Sequence, residues 1–393
     1  MKKLLVATAM AALISTAVNA EDIKLGVILG YTGPIESLTP DMAAGAELAI
    51  KEVSESGALL GGSKVMSVRG DTTCTDSAAA TAATERLVTS DKINAIVGGD
   101  CSGVTTAMLQ NVALANGIVM VSPSATSPAL SSIKDNGLFF RTAPSDARQG
   151  QVLTAILNDK GIKSAALTYT NNDYGKGLAN SIKTNFEKSG GKITISAAHE
   201  DGKADYTAEV GALAAAGGDV LIVAGYLDQG GKGIIQAALD TGAFETFVLP
   251  DGMIGDSLPL AIGKDLNGSF GTVPGTDSPG AAKFGTMAKA AGFKAGPFAS
   301  ESYDAAALIM LAMQAAKSSQ SKMFKGKLLG VANAPGTKIY PGELAKGLKI
   351  IASGGEVDYV GASAVELIGP GESAGNYREI LVSGGKNTTA RFR

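Results

Sequence analysis

The run Gly98-Gly99-Asp100-Cys101-Ser102-Gly103 places an acid, a thiol and a hydroxyl directly after an apolar stretch at 93–97 and before a helical pattern at 103–115. Ser102 is therefore expected close to a helix N-cap, where backbone N–H groups lack acceptors and an anion such as a carboxylate is favoured. An ordinary capping serine explains the same residues equally well. A nucleophile reading fails on spacing, because Asp100 stands where Gly-x-Ser-x-Gly needs its first glycine. Ser122-Pro123-Ser124-Ala125-Thr126-Ser127-Pro128 ends another apolar run. Pro128 fits a first helical turn, with Thr126 or Ser127 as its cap. Two helix starts at one sheet edge make a better anion site than one. Further along, Asn172-Asp173-Tyr174-Gly175, Tyr226 and Asp251 each follow an apolar run. Asp251 could pair with a ligand ammonium, or could simply begin a turn before Gly252. The single His199 reads as a solvent-facing side chain, and the Gly-rich pieces at 225–233 and 252–255 lack both the Walker and the dinucleotide spacing.

These residues have to be positioned by the elements before them. Apolar runs at 23–30, 64–71, 93–99, 118–122, 163–170, 193–198, 219–226 and 246–249 alternate with amphipathic segments at 41–54, 76–90, 103–115, 146–160, 178–189 and 232–238. Alternation of this kind means βαβ units, and near-continuous Val, Ile, Leu and Ala means parallel strands covered on both faces. The set occurs twice, and helical stretches at 302–318 and 342–351 follow the second set. The expected fold is α/β: two doubly wound lobes joined by crossovers, with a cleft between the strand C-terminal ends.

Composition narrows the function further. The chain has 393 residues, 34 Lys+Arg against 37 Asp+Glu, one His and two Cys. A net charge of −3 argues against a nucleic-acid surface, and one histidine leaves little for His-based metal sites or catalysis. Met1-Lys2-Lys3, a short apolar run and Val18-Asn19-Ala20 read as a secretory signal peptide, cleaved after Ala20. The apolar run is shorter than the ~20 residues that spanning requires. Loss of Lys2 and Lys3 leaves 32 basic and 37 acidic residues, a charge of −5. In an exported chain Cys74 and Cys101 can form a disulfide, although buried thiols remain an alternative at this point.

Taken in order, several segments resemble the periplasmic branched-chain (Leu/Ile/Val) amino-acid binding proteins, the type I solute-binding components of ABC importers. Ile23-Lys24-Leu25-Gly26-Val27, Tyr31-Thr32-Gly33-Pro34 and Gly45-Ala46 are similar to the family's opening, and Cys74 with Cys101-Ser102 to its disulfide and carboxylate-binding serine. Ser122 to Thr126 resembles its second ligand loop. Asp173-Tyr174-Gly175-Lys176-Gly177, Gly225-Tyr226, Phe298 with Tyr303-Asp304-Ala305-Ala306, Tyr340-Pro341-Gly342-Glu343-Leu344 and Asp358-Tyr359-Val360-Gly361-Ala362-Ser363 also follow the family's order.

The resemblance implies a type I periplasmic-binding-protein fold with three crossover hinge segments: a signal peptide at 1–20, lobe 1 at 21–142 and 273–356, and lobe 2 at 143–272 and 357–393. It implies that Ser102, Ser124, Ala125 and Thr126 hold an amino-acid head group, that Asp251 binds the α-ammonium, and that Tyr174 and Tyr226 clamp from lobe 2. Phe298 and Leu38 would line the side-chain pocket. The implied protein is a periplasmic monomer without enzymatic activity or cofactor, delivering its ligand to an ABC permease. A ligand sensor on the same fold is the rival reading. Leu38 stands where leucine-type members tend to have an aromatic residue, and Asp251 where they have the longer glutamate. Glu36 and Glu301 are further acids that could face a polar ligand.

Overall fold

The computed structural model describes residues 22–393; the signal peptide expected at 1–20 lies outside them. Five strands start the first sheet: β1 (Ile23–Leu29), β2 (Val65–Asp71), β3 (Ala95–Gly98), β4 (Met120–Ser122) and β5 (Phe139–Pro144). They run parallel in the order β2-β1-β3-β4-β5. The second sheet repeats this with β6 (Ser164–Thr170), β7 (Lys192–His199), β8 (Val220–Ala224), β9 (Phe247–Leu249) and β10 (Phe270–Pro274), in the order β7-β6-β8-β9-β10. β3, β5, β8 and β10 are buried along their whole length, as parallel strands with helices on both faces must be. The strand order reverses beside β1 in one sheet and beside β6 in the other. The loops leaving β1, β3, β6 and β8 therefore diverge, opening a crevice at the strand C-termini.

The lobes are interleaved. From β5 the chain enters the helix Asp146–Asp159 and crosses to β6. After β10 it returns to the first lobe, where the helix Ala299–Ala316 packs on the helix Thr39–Ser56. Gly45 permits that approach, since a Cβ there would stand 2.3 Å from the Ala299 carbonyl oxygen. Strands β11 (Thr337–Ile339) and β12 (Val357–Tyr359) form a small parallel pair beside this helical block.

The expected assignment of 357–393 to lobe 2 needs correction. Short strands β13 (Leu367–Ile368) and β14 (Glu372–Ser373) extend the first sheet next to β5. Only β15 (Tyr377–Ser383) and β16 (Lys386–Phe392) join the second, antiparallel to β10 and to each other. The cause is the fully buried Asp304, whose carboxylate accepts from Tyr359 Oη, the backbone N–H groups of Ala362 and Ser363, and Ser363 Oγ, at 2.6–2.7 Å. That bouquet ties 359–363 to the lobe 1 helix, and the pairing of β14 with β5 keeps the chain in lobe 1 as far as Ser373, so the third crossover falls between β14 and β15.

Candidate functional site

The first-lobe wall of the crevice is built by two loops. Cys74 and Cys101 are joined by a disulfide, their Cα atoms 5.2 Å apart, which fixes the loop after β3 to the loop after β2. Asp100 tightens the same loop: its buried carboxylate accepts from Gly30 N–H (2.6 Å), Cys101 N–H (3.0 Å) and Thr72 Oγ1 (3.2 Å). Burial raises its pKa and these donors oppose the rise. Cys101 is the N-cap of the helix that follows, and Ser102 is its first residue, next to the cap as expected. The Ser102 hydroxyl accepts from Ser127 N–H at 3.1 Å, so the two loops are stitched to each other.

The loop after β4 is held from behind by Arg141, which sequence reasoning passed over. This guanidinium is 1% exposed and donates to the carbonyls of Ala125 (3.0 Å) and Ser127 (2.9 Å), to Ser131 Oγ (2.7 Å) and to Glu372 (2.5 Å). Ser124 Oγ donates to the Asp100 carbonyl, and Ser122 Oγ accepts from Ala125 N–H. Ser127 caps a short 3-10 turn that starts at Pro128.

The second-lobe wall is acidic and aromatic. Tyr174 opens into the crevice from the helix Asp173–Lys188 and stacks on Tyr226, ring centroids 5.2 Å apart. Its hydroxyl donates to Asp251 Oδ1 at 2.6 Å and accepts from Gly252 N–H at 3.1 Å. Asn172 Nδ2 donates to Tyr226 Oη at 3.3 Å. Burial pushes the Asp251 carboxyl up to about 6, against the lowering effect of its hydrogen bonds from Tyr174, Gly252 and Gln149. Gly252 leaves room for this cluster, as a Cβ would lie 2.6 Å from the Gly225 carbonyl oxygen and 2.8 Å from Tyr174 Oη.

Leu38, Ser102, Ser124, Tyr174, Tyr226, Asp251 and Phe298, seven of the expected residues, surround one cavity together with Ile35, Asp100, Cys101 and Gly252. Ala125 and Thr126 lie behind this lining, buried. About 20 Å³ is open to the centre of a water molecule, little more than one water needs. A ligand of amino-acid size therefore enters only if the lobes part or side chains turn aside. The closed arrangement is bridged by Ser37 N–H to Asp228 Oδ2 (2.9 Å), Asp228 N–H to the Pro34 carbonyl (3.1 Å) and Lys294 to Asp256 (2.6 Å). Leu38 also borders an outer chamber of about 440 Å³, whose walls include Asp41, Gly255, Lys294, Arg378 and Asn387.

Glu36 is exposed, and Glu301 is buried with its carboxyl pushed up to about 7 by desolvation; neither lines the cavity. His199 differs from its expected exposure. It is 1% exposed, its Nδ1 lies 2.8 Å from Thr168 Oγ1, and burial holds its pKa down at about 4. The end of β7 is covered by Tyr206, edge-on to the imidazole.

No helix among the described residues is long and apolar enough to cross a membrane. A Leu/Ile/Val-binding protein homolog 1 of Brucella melitensis is 31% identical over 328 residues, covering 81% of this chain and 85% of its own. The Leu/Ile/Val-binding protein of Citrobacter freundii is 29% identical over 273 residues, 69% of this chain and 73% of its own. Among solved structures, the leucine-binding protein LivK of Thermotoga maritima superposes with a TM-score of 0.80 at 21% identity, covering 94% of this chain and 98% of that one. The LivJ protein of Streptococcus pneumoniae, in complex with isoleucine, gives 0.78 at 23%, covering 95% and 99%. A solute-binding protein of R. palustris in complex with benzoate gives 0.74 at 20%, covering 94% and 96%. The periplasmic binding protein model matches residues 22–340. With both sheets, the crossovers and the inter-lobe cavity in place, the chain belongs to the periplasmic binding protein family.

Proposed function

We propose that this protein is the exported solute-binding component of an ABC importer, capturing an amino acid between its lobes in the periplasm and passing it, as a monomer, to the permease. One observation carries the ligand class: across a single narrow crevice, a helix N-terminus with the Ser102 hydroxyl faces the buried acid Asp251. The first favours a carboxylate and the second an ammonium, so the two ends of a zwitterion are both matched. Ser102 and Ser124 hold the carboxylate side with local backbone groups, and Thr126 supports that loop from behind. Asp251 takes the ammonium, Tyr174 and Tyr226 cover it, and Leu38 and Phe298 meet the side chain. The relatives named for Leu, Ile and Val support an apolar side chain. Capture proceeds by hinge closure, the motion for which periplasmic binding proteins are a type example. A ligand that contacts both walls stabilises the closed form by its differential affinity. No bond-making step is assigned to any residue.

A thermal-shift screen of the mature protein against the proteinogenic amino acids, related amines and aromatic carboxylates tests the reading. A true ligand at about 100 times its Kd adds roughly 2.7 kcal/mol of stability. An amino-acid hit is expected. A response to benzoate-type acids alone would overturn the zwitterion assignment, because such a ligand leaves Asp251 facing a second negative charge.

A further inference from the structure

Behind the second-lobe wall lies a polar cluster that ligand contact leaves unexplained. Asp146 begins the first crossover helix and is completely buried. With its amide turned so that both ends are satisfied, Gln149 donates from Nε2 to Asp146 Oδ1 (3.0 Å) and to Asp251 Oδ1 (3.2 Å). Its oxygen then accepts from Thr272 Oγ1 and Asp251 N–H, both at 3.2 Å. One amide thus clamps two buried carboxylates.

Among the described residues, the cation acting on Asp146 itself is Arg141. Asp146 is faced by Arg141 from β5, by Asp251 and Tyr174 from the second lobe, and by Tyr377 from the third crossover, where Arg148 of the crossover helix acts on Tyr377 in turn. Arg141 is already occupied by two carbonyls, Ser131 and Glu372. Asp251 is faced by Tyr174, Tyr226 and Tyr377. Two like charges in a buried site disfavour each other's ionisation. Asp146 Oδ2 and Thr126 Oγ1 lie side by side short of a well-formed hydrogen bond, and Tyr377 Oη is also buried without a partner. A proton on Asp146 Oδ2 would turn that orphan acceptor into a donor beside Thr126.

We infer that Asp146 is a positioning residue for Asp251: in the empty cleft it holds the proton of the carboxylate pair, so that one negative charge faces the ligand. This rests on the reading of Asp251 as the ammonium site. Burial and the charge of Asp251 push the Asp146 carboxyl well above the usual range, outweighing Thr126 and Arg141. Neutralising Asp251 removes its repulsion and weakens the hold on that proton, while burial, the larger cause, remains. A separate acid limb belongs to Asp251. Below about 6 it must itself be deprotonated before it can bind a cation, so affinity falls with falling pH, by roughly tenfold per unit.

Infrared spectra of the ligand-free full chain at about pH 7 read the proton directly, whichever ligand the cleft takes. The carbonyl stretch of a protonated carboxyl group is expected, with part of it absent from Asp146→Asn. Superposable spectra from a folded variant would overturn the inference while leaving the amino-acid reading intact. The wild-type spectrum by itself keeps the test open if the variant fails to fold. A protonated-carboxyl band at about pH 7 supports the inference, and its complete absence overturns it.

Discussion

The first-lobe wall meets the ligand space with hydroxyls and a helix start, and its one carboxylate, Asp100, is saturated by Gly30, Cys101 and Thr72. The second-lobe wall meets the same space with Asp251, braced by Tyr174 and Gly252 and coupled through Gln149 to a second acid. Both aspartates are buried, yet one is consumed in holding a loop and the other keeps a charge for what enters. Burial alone therefore does not mark a binding acid; what does is an oxygen left without protein donors, since among the described residues Asp100 is bonded at both oxygens and Asp251 at Oδ1 alone. The first lobe is a prebuilt, cross-linked cradle, and the second brings charge and aromatic cover as the cleft closes.

If that contrast is right, damage to the first wall behind the cleft should appear mainly as lost stability. Arg141→Ala strands Glu372 and three acceptors of the second ligand loop, and should cost about 3–5 kcal/mol in chemical denaturation. An unchanged midpoint would mean the loop is held by something else. Asp251→Ala, on the opposite wall, should weaken amino-acid binding by about 2–5 kcal/mol in calorimetry, the scale of an unpaired buried partner charge. Near-wild-type affinity would place the ammonium elsewhere. Tyr174→Phe removes a hydrogen bond to a charged group, worth about 1.5–3 kcal/mol of binding. Because that bond lowers the Asp251 pKa, the acid limb of the affinity profile should also move upward from about 6. A limb that stays in place would detach Tyr174 from the acid. Ser102→Ala should have the smallest effect, about 0.5–1.5 kcal/mol of affinity, since backbone donors of the helix remain. A loss as large as that of Asp251→Ala would erase the distinction between the walls.

Apart from Leu38 and Phe298, the cavity residues that sequence reasoning could find share one property: they sit just past the end of an apolar strand. Ser102, Ser124, Tyr174, Tyr226 and Asp251 are legible because a parallel α/β sheet delivers such positions to the crevice whatever the loop conformation. Arg141, Asp146 and Gln149 carry no such mark. Arg141 points from inside β5 toward a loop earlier in the chain, and Asp146 looks like an acid in a helix first turn, an ordinary dipole-complementing choice. Their roles arise only when Glu372, Thr272 and Tyr377 arrive from distant sequence. The sheet membership of 367–373 was hidden for a related reason, since two-residue strands have no periodicity to read. His199 escaped because a single polar residue at a strand end does not reveal the tyrosine that covers it.

The crossovers run close to the acids they help to organise. Asp146 and Gln149 ride on the first and Tyr377 on the third. In a rotation about an axis through these segments, an atom moves in proportion to its distance from the axis. The carboxylate pair is then near the fulcrum, where its spacing survives opening and closing. The outer bridges Ser37–Asp228 and Lys294–Asp256 are at the long end of the lever and make the full excursion. The acid keeps its arrangement through the swing, and the rim contacts act as a clasp that registers how far the jaws have travelled.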